Sequence, residues 1–320
     1  LQATYINVML GEIASDNTLA GGESATDVPG IQQIDDMIQT PVNANLRDIW
    51  SWMFAGVNRA NYIMEFQDKT DFEGKDLVLA QARFLRAYYY FELVKWFGDV
   101  PLVVDQRILF GQQFEIDRTP KADVYAQIEQ DLIFAADILP YFQVETGRVT
   151  KGAAQSLLGK VYLFQDKFSE SAAVLESVIN NGPYELLTDY NTMFENDNEN
   201  NAESVFEVQY TDVQGAGFGC LQCSEGNVAV GFNGIRNYSV EPGSVGDIFK
   251  SGFSFNVPVQ EVYDAFEEND IRRDVAILDI VTWAAEVNAT YTEGYEHTGY
   301  FNRKYLPRTG GLNTGYSNLT

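Results

Sequence analysis

The chain has little of what most enzymes work with. Its 320 residues include one histidine, His297, and two cysteines, Cys220 and Cys223. A Ser-His-Asp triad would have to use His297, which lies in a polar turn. No G-x-S-x-G stretch presents a serine, and Ser15, Ser24 and Ser51 have other surroundings. A zinc site needs four ligands, and the one histidine is far from the cysteines in sequence. Cys220-Leu-Gln-Cys223 therefore has three readings: a redox pair, half a zinc site, or a local disulfide. A thioredoxin-like pair opens a helix after a strand. This one sits among Gly215, Gly217, Gly219 and Gly226, which favours a loop-pinning disulfide or two plain thiols. Nor is there a P-loop or a G-x-G-x-x-G turn; Gly215-x-Gly217-x-Gly219 lacks the strand–helix context. These absences point away from catalysis and from any cofactor.

Positive charge is also scarce. Lys and Arg number 21 against 46 Asp and Glu, a formal charge of −25. Nucleic acid, whose phosphates need Lys and Arg, is excluded as a partner, and so are anionic membrane surfaces met by the folded domain. A well-solvated surface explains the acidity more simply than a cationic partner does. With so many acids, carboxylate pairs must exist somewhere, so their presence identifies no hydrolase. No run of roughly eighteen apolar residues is present to form a transmembrane helix. The first residue is Leu1, without a charged-then-apolar leader, so the expectation is a removed signal peptide or a trimmed chain.

What the chain has is apolar and aromatic, 45% and 13% of residues, ample for a core in one large domain or two intimate ones. The most ordered stretch is Ala80 to Val104. Phe84, Tyr88 and Phe91, with Leu85, Tyr89 and Leu93 beside them, predict a helix over 75–97 buried on most sides. Gly98 suits the end of a helix, and Pro101 forbids its resumption. Further helices are predicted over 1–15 and 45–67. Another begins at Thr119-Pro120, with Thr as the N-cap, and ends at Leu139-Pro140. Thr150 caps one running to about Phe164, and the next runs from Ser169 to Asn180. Leu158-Gly159, Tyr162, Phe168, Ser171 and Pro183 fit the roughly 34-residue tetratricopeptide repeat, with Gly159 and Ser171 where the two helices touch. Tyr88, Phe91, Tyr125, Tyr162 and Phe168, all at helical spacing, are expected in the core.

Two regions are untidy. Residues 16–44, with Gly21, Gly22, Pro29 and Pro41, read as a long loop, which is usually functional or disordered. After Phe194 the chain becomes loop-rich. Ser204 to Tyr210 alternates like a strand, 211–256 is Gly-rich with scattered aromatics, Gln260 to Glu268 reads as a short helix, and 275–306 as strands and turns. Asp197 to Asn201 is rich in side-chain oxygens but lacks a calcium-loop spacing, so a solvated loop is the simpler reading and no metal is assigned. The fold class expected is mainly α (α+β): a tetratricopeptide-like helix-pair solenoid over 1–194, with a loop insertion at 16–44, and a loop-rich, partly β ligand-binding part over 195–320.

Aromatics in polar loops are the candidate site. A sugar ring offers an apolar C–H face and a rim of hydroxyls, met by a flat ring and by Asn, Asp or Arg. Phe232, Asn233, Arg236, Tyr238 and Phe253 have that mix, as do Asp27, Asn45, Arg47 and Trp52. Trp50, on the apolar face of its helix, reads as core.

Several motifs occur in an order that resembles the SusD/RagB family. Trp50-x3-Phe54-x2-Val57-x2-Ala60-Asn61 is similar to its first signature helix. Arg83-Phe84-Leu85-Arg86-Ala87 through Phe97-Gly98-Asp99-Val100-Pro101-Leu102 is similar to its second. Tyr125-x2-Ile128-x2-Asp131-Leu132, Gly147 to Leu163, Gly182-x-Tyr184-x-Leu186, Asp270-x-Arg272-Arg273 and Lys304-Tyr305 continue the order. The resemblance implies an outer-membrane, nutrient-binding lipoprotein of Bacteroidota on the extracellular face. Such a protein lids a SusC-like TonB-dependent transporter and binds a glycan, or a peptide in RagB-like members, without catalysis. A pure tetratricopeptide scaffold for protein assembly would not need the aromatic-rich half. The family's lipid-bearing N-terminal cysteine and its last helix pair, after Lys304-Tyr305, are absent from this sequence. The natural protein is therefore expected to be longer at both ends.

Overall fold

The computed structural model describes residues 9–112, 115–195, 197–209 and 229–309. Cys220 and Cys223, and most of the Gly-rich stretch around them, lie outside the described residues. The chain divides into two compact units. Leu1–Asp48, Leu187–Asn201 and Gln209–Thr320 form the first; Ile49–Leu186 with Ala202–Val208 form the second. The expected boundary at 194 differs from this, because the N-terminal residues join the loop-rich part through a strand pairing that sequence proximity hides.

That pairing is β1 (Thr18–Gly21) against β2 (Phe255–Pro258), antiparallel, with Leu19 opposite Val257. Residues 16–44 are thus not all loop. They hold β1 and a short helix α1 (Pro29–Asp35) with Pro at its start. Helix α2 (Ala44–Phe66) follows, and Asn43 caps it by accepting from the backbone N–H of Asn45 and of Leu46.

The second unit is the helical part. From Ile49, α2 is followed by α3 (Lys75–Phe97), α4 (Lys121–Ile138), α5 (Lys151–Leu163) and α6 (Phe168–Asn181). Each of α3 to α6 packs on the next. The sequence placed α3 correctly. Its buried face carries Phe84, Ala87, Tyr90, Phe91, Leu93 and Val94, whereas Leu85 is exposed. Gly98 ends it at φ +67°, a conformation that spares a Cβ clash only in glycine. Trp50 packs in a ring cluster with Phe54 and Phe97. Thr150 does cap α5, accepting from Ala153 N–H at 3.2 Å. Thr119 does not cap α4; its own N–H donates to Val100 O and the helix starts at Lys121. Ser171 Oγ donates to Gly159 O at 2.8 Å, and a Cβ on Gly159 would lie 2.6 Å from Leu175, so the expected close contact of α5 and α6 is present. Phe168, expected in the core, is instead 61% exposed at the first residue of α6. Ser204 to Gln209 form no strand, and Phe206 instead meets Phe84 edge-on. Among the described residues no strand pairs with them.

Gly56 of α2 faces the Tyr89 ring of α3, and a Cβ there would sit 2.4 Å from it. Gly56→Val gains little helix propensity and forces the ring aside. The expected cost is about 1–3 kcal/mol, measured by urea unfolding.

The first unit also holds α7 (Ala229–Asn233), α8 (Gln260–Asp264), α9 (Arg273–Ala276), β3 (Ile277–Asp279), α10 (Ile280–Val287) and β4 (Tyr300–Asn302), with β3 antiparallel to β4. Helix α10 falls where strands and turns were expected, its start fixed by Asp279, which accepts from Thr282 N–H. Ile235, Tyr238, Phe249, Val257, Leu278, Ile280 and Phe301 form the core. Beside it lies a polar cluster: Asn256 and Asn302 both donate to Glu12 Oε2, at 2.6 and 2.7 Å.

Candidate functional site

The site is built on the glycines that end β1. A Cβ on Gly21 would lie 2.2 Å from Ser254 O, and one on Gly22 would lie 2.7 Å from the Phe255 ring. Both glycines have positive φ, +68° and +97°. Only glycine lets the chain turn this close over β2. The turn presents Glu23 and Asp27, and Asp27 Oδ2 accepts from Glu23 N–H at 2.8 Å. Gly294 repeats the device from the other side: its Cβ would lie 2.5 Å from Gly22 O. Tyr295 N–H then donates to Gly22 O at 2.9 Å, leaving Tyr295 37% exposed.

Arg236 lies between these loops. Its N–H donates to Ser254 Oγ, and its carbonyl accepts from Thr292 N–H. Its guanidinium donates to Phe253 O at 2.8 Å and faces Asp27 at 3.6 Å and Glu23 at 3.7 Å. Its Nε is buried with no partner among the described residues. Asn237, exposed and at φ +50°, donates to Thr292 Oγ1. Phe253 is half-buried, its ring 6.1 Å from that of Phe232, which in turn lies 5.4 Å from Phe255.

The structure thus brings Asp27, Arg236 and Phe253 together from among the sequence candidates. It takes three others out of solvent. Phe232 is 9% exposed and underlies Phe253. Tyr238 belongs to the core, donating to Gly246 O and accepting from Trp283 Nε1–H. Asn233 is fully buried, donating to Ala229 O and accepting from Asn256. In sequence these side chains stand beside Gly231, Gly234 and Arg236 and read as solvated, but the Gly231, Gly234 and Ile235 carbonyls accept from Phe253, Ser254 and Gly252 N–H, which packs the segment inward. Asn45 is half-buried against α1, its Oδ1 where a Cβ on Gly30 would sit. Arg47 is exposed and paired with its neighbour Asp48 at 3.1 Å. Trp52 is half-buried on α2, in the second unit.

Sequence reasoning missed Tyr295, Glu23 and Thr292. The signal for Tyr295 was present, since an aromatic next to Glu296 and His297 in a polar turn has little local reason to be buried. His297 accepts from or donates to the Tyr291 hydroxyl at 3.3 Å, and burial lowers its pKa, favouring the neutral ring. Among the described residues, no three His, Cys, Asp or Glu side chains are grouped to hold a metal ion. The Asn198, Asn200 and Asn201 amides donate to protein oxygens.

Carboxylates surround the Tyr295 side. Asp35 accepts from Ala20 N–H and Glu296 from Gly21 N–H. Burial raises the pKa of each, and like charge adds to it, from Asp36 on Asp35 and from Asp35 and Asp36 on Glu296. A carboxyl whose folded pKa is raised stabilises fully below its unfolded pKa, and that stability is lost as pH rises through the folded value. Asp35→Asn is therefore expected to raise Tm at pH 7 by about 1–2 °C, with no gain at pH 3.5. Calorimetry at the two pH values checks it.

The loops together carry an exposed and a half-buried aromatic residue, a guanidinium, carboxylates and an amide, groups that suit a polyhydroxylated ligand.

The fold finds its match among known proteins. A SusD-like family model described as "Starch-binding associating with outer membrane" matches residues 4–163. A laminarin-binding SusD-like protein of known structure is 32% identical, with a TM-score of 0.88 over 99% of this chain and 73% of that one. Surface glycan-binding protein A from Bacteroides fluxus is 25% identical, with a TM-score of 0.85 over 98% and 66%. SusD-like protein P2 of Formosa agariphila is 27% identical over 87% of this chain. The chain belongs to the SusD-like family. It spans 54% of the length of the Formosa relative. No helix among the described residues is long and apolar enough to cross a membrane.

Proposed function

We propose that this chain binds a glycan at the loop cluster of Glu23, Asp27, Arg236, Asn237, Phe253 and Tyr295. It does so at the extracellular face of the outer membrane, and hands the glycan intact to a SusC-like TonB-dependent transporter. The observation that carries the reading is the convergence of three separate loops on Arg236, through Asp27, Phe253 O and Thr292 N–H, with Tyr295 held on Gly22 O of the first of those loops. The Arg236 guanidinium is fixed by Phe253 O and flanked by two carboxylates, so the N–H groups of its two outer nitrogens and the carboxylate lone pairs can meet sugar hydroxyls, while Nε stays buried. Tyr295 offers a ring face for stacking. The names of the similar proteins, laminarin-binding and surface glycan-binding, support the same class of ligand.

Native electrophoresis of the chain through gels containing single polysaccharides tests this. Retardation by at least one polysaccharide is expected, with no new oligosaccharide on thin-layer chromatography after incubation. Released products would contradict binding without cleavage. Retention of peptides and of no polysaccharide would favour the peptide-binding reading.

A further inference from the structure

We infer that the site selects uncharged glycans and rejects polysaccharides that carry carboxylate or sulfate groups. The inference rests on the glycan reading above and adds the charge class of the ligand. An anionic sugar is recognised by a free guanidinium or ammonium, usually through a bidentate pair. Arg236 is the cation at the centre of this site, and it is already engaged. One amino group donates to Phe253 O, and Asp27 and Glu23 stand at 3.6 and 3.7 Å. Its side chain is only 15% exposed, whereas that of Glu23 is 76% exposed. The outermost charge that a ligand meets is therefore negative.

The Tyr295 side has the same sign. Asp35 and Glu296 accept from Ala20 and Gly21 N–H on β1, and together with Asp36 they act electrostatically on the Tyr295 hydroxyl. Two carboxylates, those of Glu23 and Asp27, thus face the guanidinium, and three more, those of Asp35, Asp36 and Glu296, act on Tyr295. A uronate or sulfate stacked on Tyr295 or Phe253 would bring like charge against them. A neutral sugar presents only hydroxyls, each able to donate to a carboxylate oxygen. Like-charge juxtaposition is a standard means of rejecting the wrong partner. The whole-chain charge of −25 acts in the same direction at longer range, but it is screened beyond about 8 Å at physiological salt.

The test uses the whole chain and a panel of defined polysaccharides in native affinity gels. Neutral probes are starch, laminarin and xyloglucan; anionic probes are alginate, polygalacturonate and carrageenan. The expected result is retardation by one or more neutral probes, with affinity at least about tenfold above that for any anionic one. Glu23→Gln, and Glu23→Gln with Asp27→Asn, separate local rejection from global charge. They change the net charge by only one or two in 25. They should nonetheless raise the ratio of anionic to neutral affinity about threefold or more. Preferential binding of an anionic probe by the wild type overturns the charge selection while leaving glycan binding intact. An unchanged ratio in both variants also overturns it, since the rejection would then not come from this site. Retardation by no probe at all overturns the glycan reading itself, and this inference with it.

Discussion

Asp131→Asn is expected to destabilise the helical unit by about 3–5 kcal/mol, seen as an early transition in urea unfolding followed by circular dichroism. Asp131 of α4 is fully buried and meets the Arg86 guanidinium of α3 through two bonds of 2.7 Å. Arg86 also donates to Asn61 Oδ1 of α2 at 3.0 Å and to Val104 O in the turn beyond α3. Asn61 and the Tyr90 hydroxyl donate to Val103 O, and Val103 N–H donates back to that hydroxyl. Three helices and the exit turn are thus held by one arginine. Burial raises the Tyr90 hydroxyl to about 12, so it stays protonated and donating throughout the physiological range. Asparagine in place of Asp131 would leave a buried guanidinium without its counter-charge, which is far costlier than never having the pair. Arg86→Met with Asp131→Leu is therefore expected to be less damaging than Asp131→Asn alone, a result that a purely additive account of lost contacts does not give.

Tyr295→Ala is expected to weaken glycan binding about tenfold or more, with little change in Tm. A flat ring stacked on a sugar face is the kind of contact that dominates a small site, and truncating such a residue costs more than about 1 kcal/mol. The ring is exposed, and its loop is held by backbone contacts, Tyr295 N–H to Gly22 O and Thr292 N–H to Arg236 O, which alanine keeps. Phe253→Ala is expected to weaken binding similarly but to lower Tm as well, because that ring packs on Phe232. Titration calorimetry with a ligand found in the gels, beside a thermal melt of each variant, separates the two effects. Equal affinity of Tyr295→Ala and wild type would remove the stacking platform from the account.

The helical unit was legible because its signals are local. Phe84, Phe91 and Val94 recur at helical spacing, and Gly98 marks the stop. Thr150 and Asp279 are both working caps, though only the first was read as one, since Ile277 and Leu278 before Asp279 look like a strand. The signature residues Asn61, Arg86 and Asp131 were visible as letters in a pattern, but nothing in the pattern said that they touch. Periodicity also misjudged Phe168, because spacing shows which face is apolar and not whether another helix covers it.

The site was half legible for the opposite reason. Asp27 and Arg236 lie far apart in sequence and meet only through the β1–β2 pairing. Strand partners at that separation leave no local mark beyond Gly21 and Gly22. Composition could name the residue types, and so Asp27, Arg236 and Phe253 were chosen; it could not tell Phe253, half-buried, from Phe232 beneath it. Asn233 was misread because a buried amide that donates to Ala229 O and accepts from Asn256 has the same sequence neighbourhood as an exposed one.

The most direct measurement is a crystal structure of the chain with an oligosaccharide of the polysaccharide that retards it. The account predicts sugar density stacked on Tyr295 or Phe253, with hydroxyls within hydrogen-bonding reach of Arg236 and of Asp27 or Glu23. Ordered sugar on the helical unit alone, with the Glu23–Arg236–Tyr295 loops empty, would contradict it.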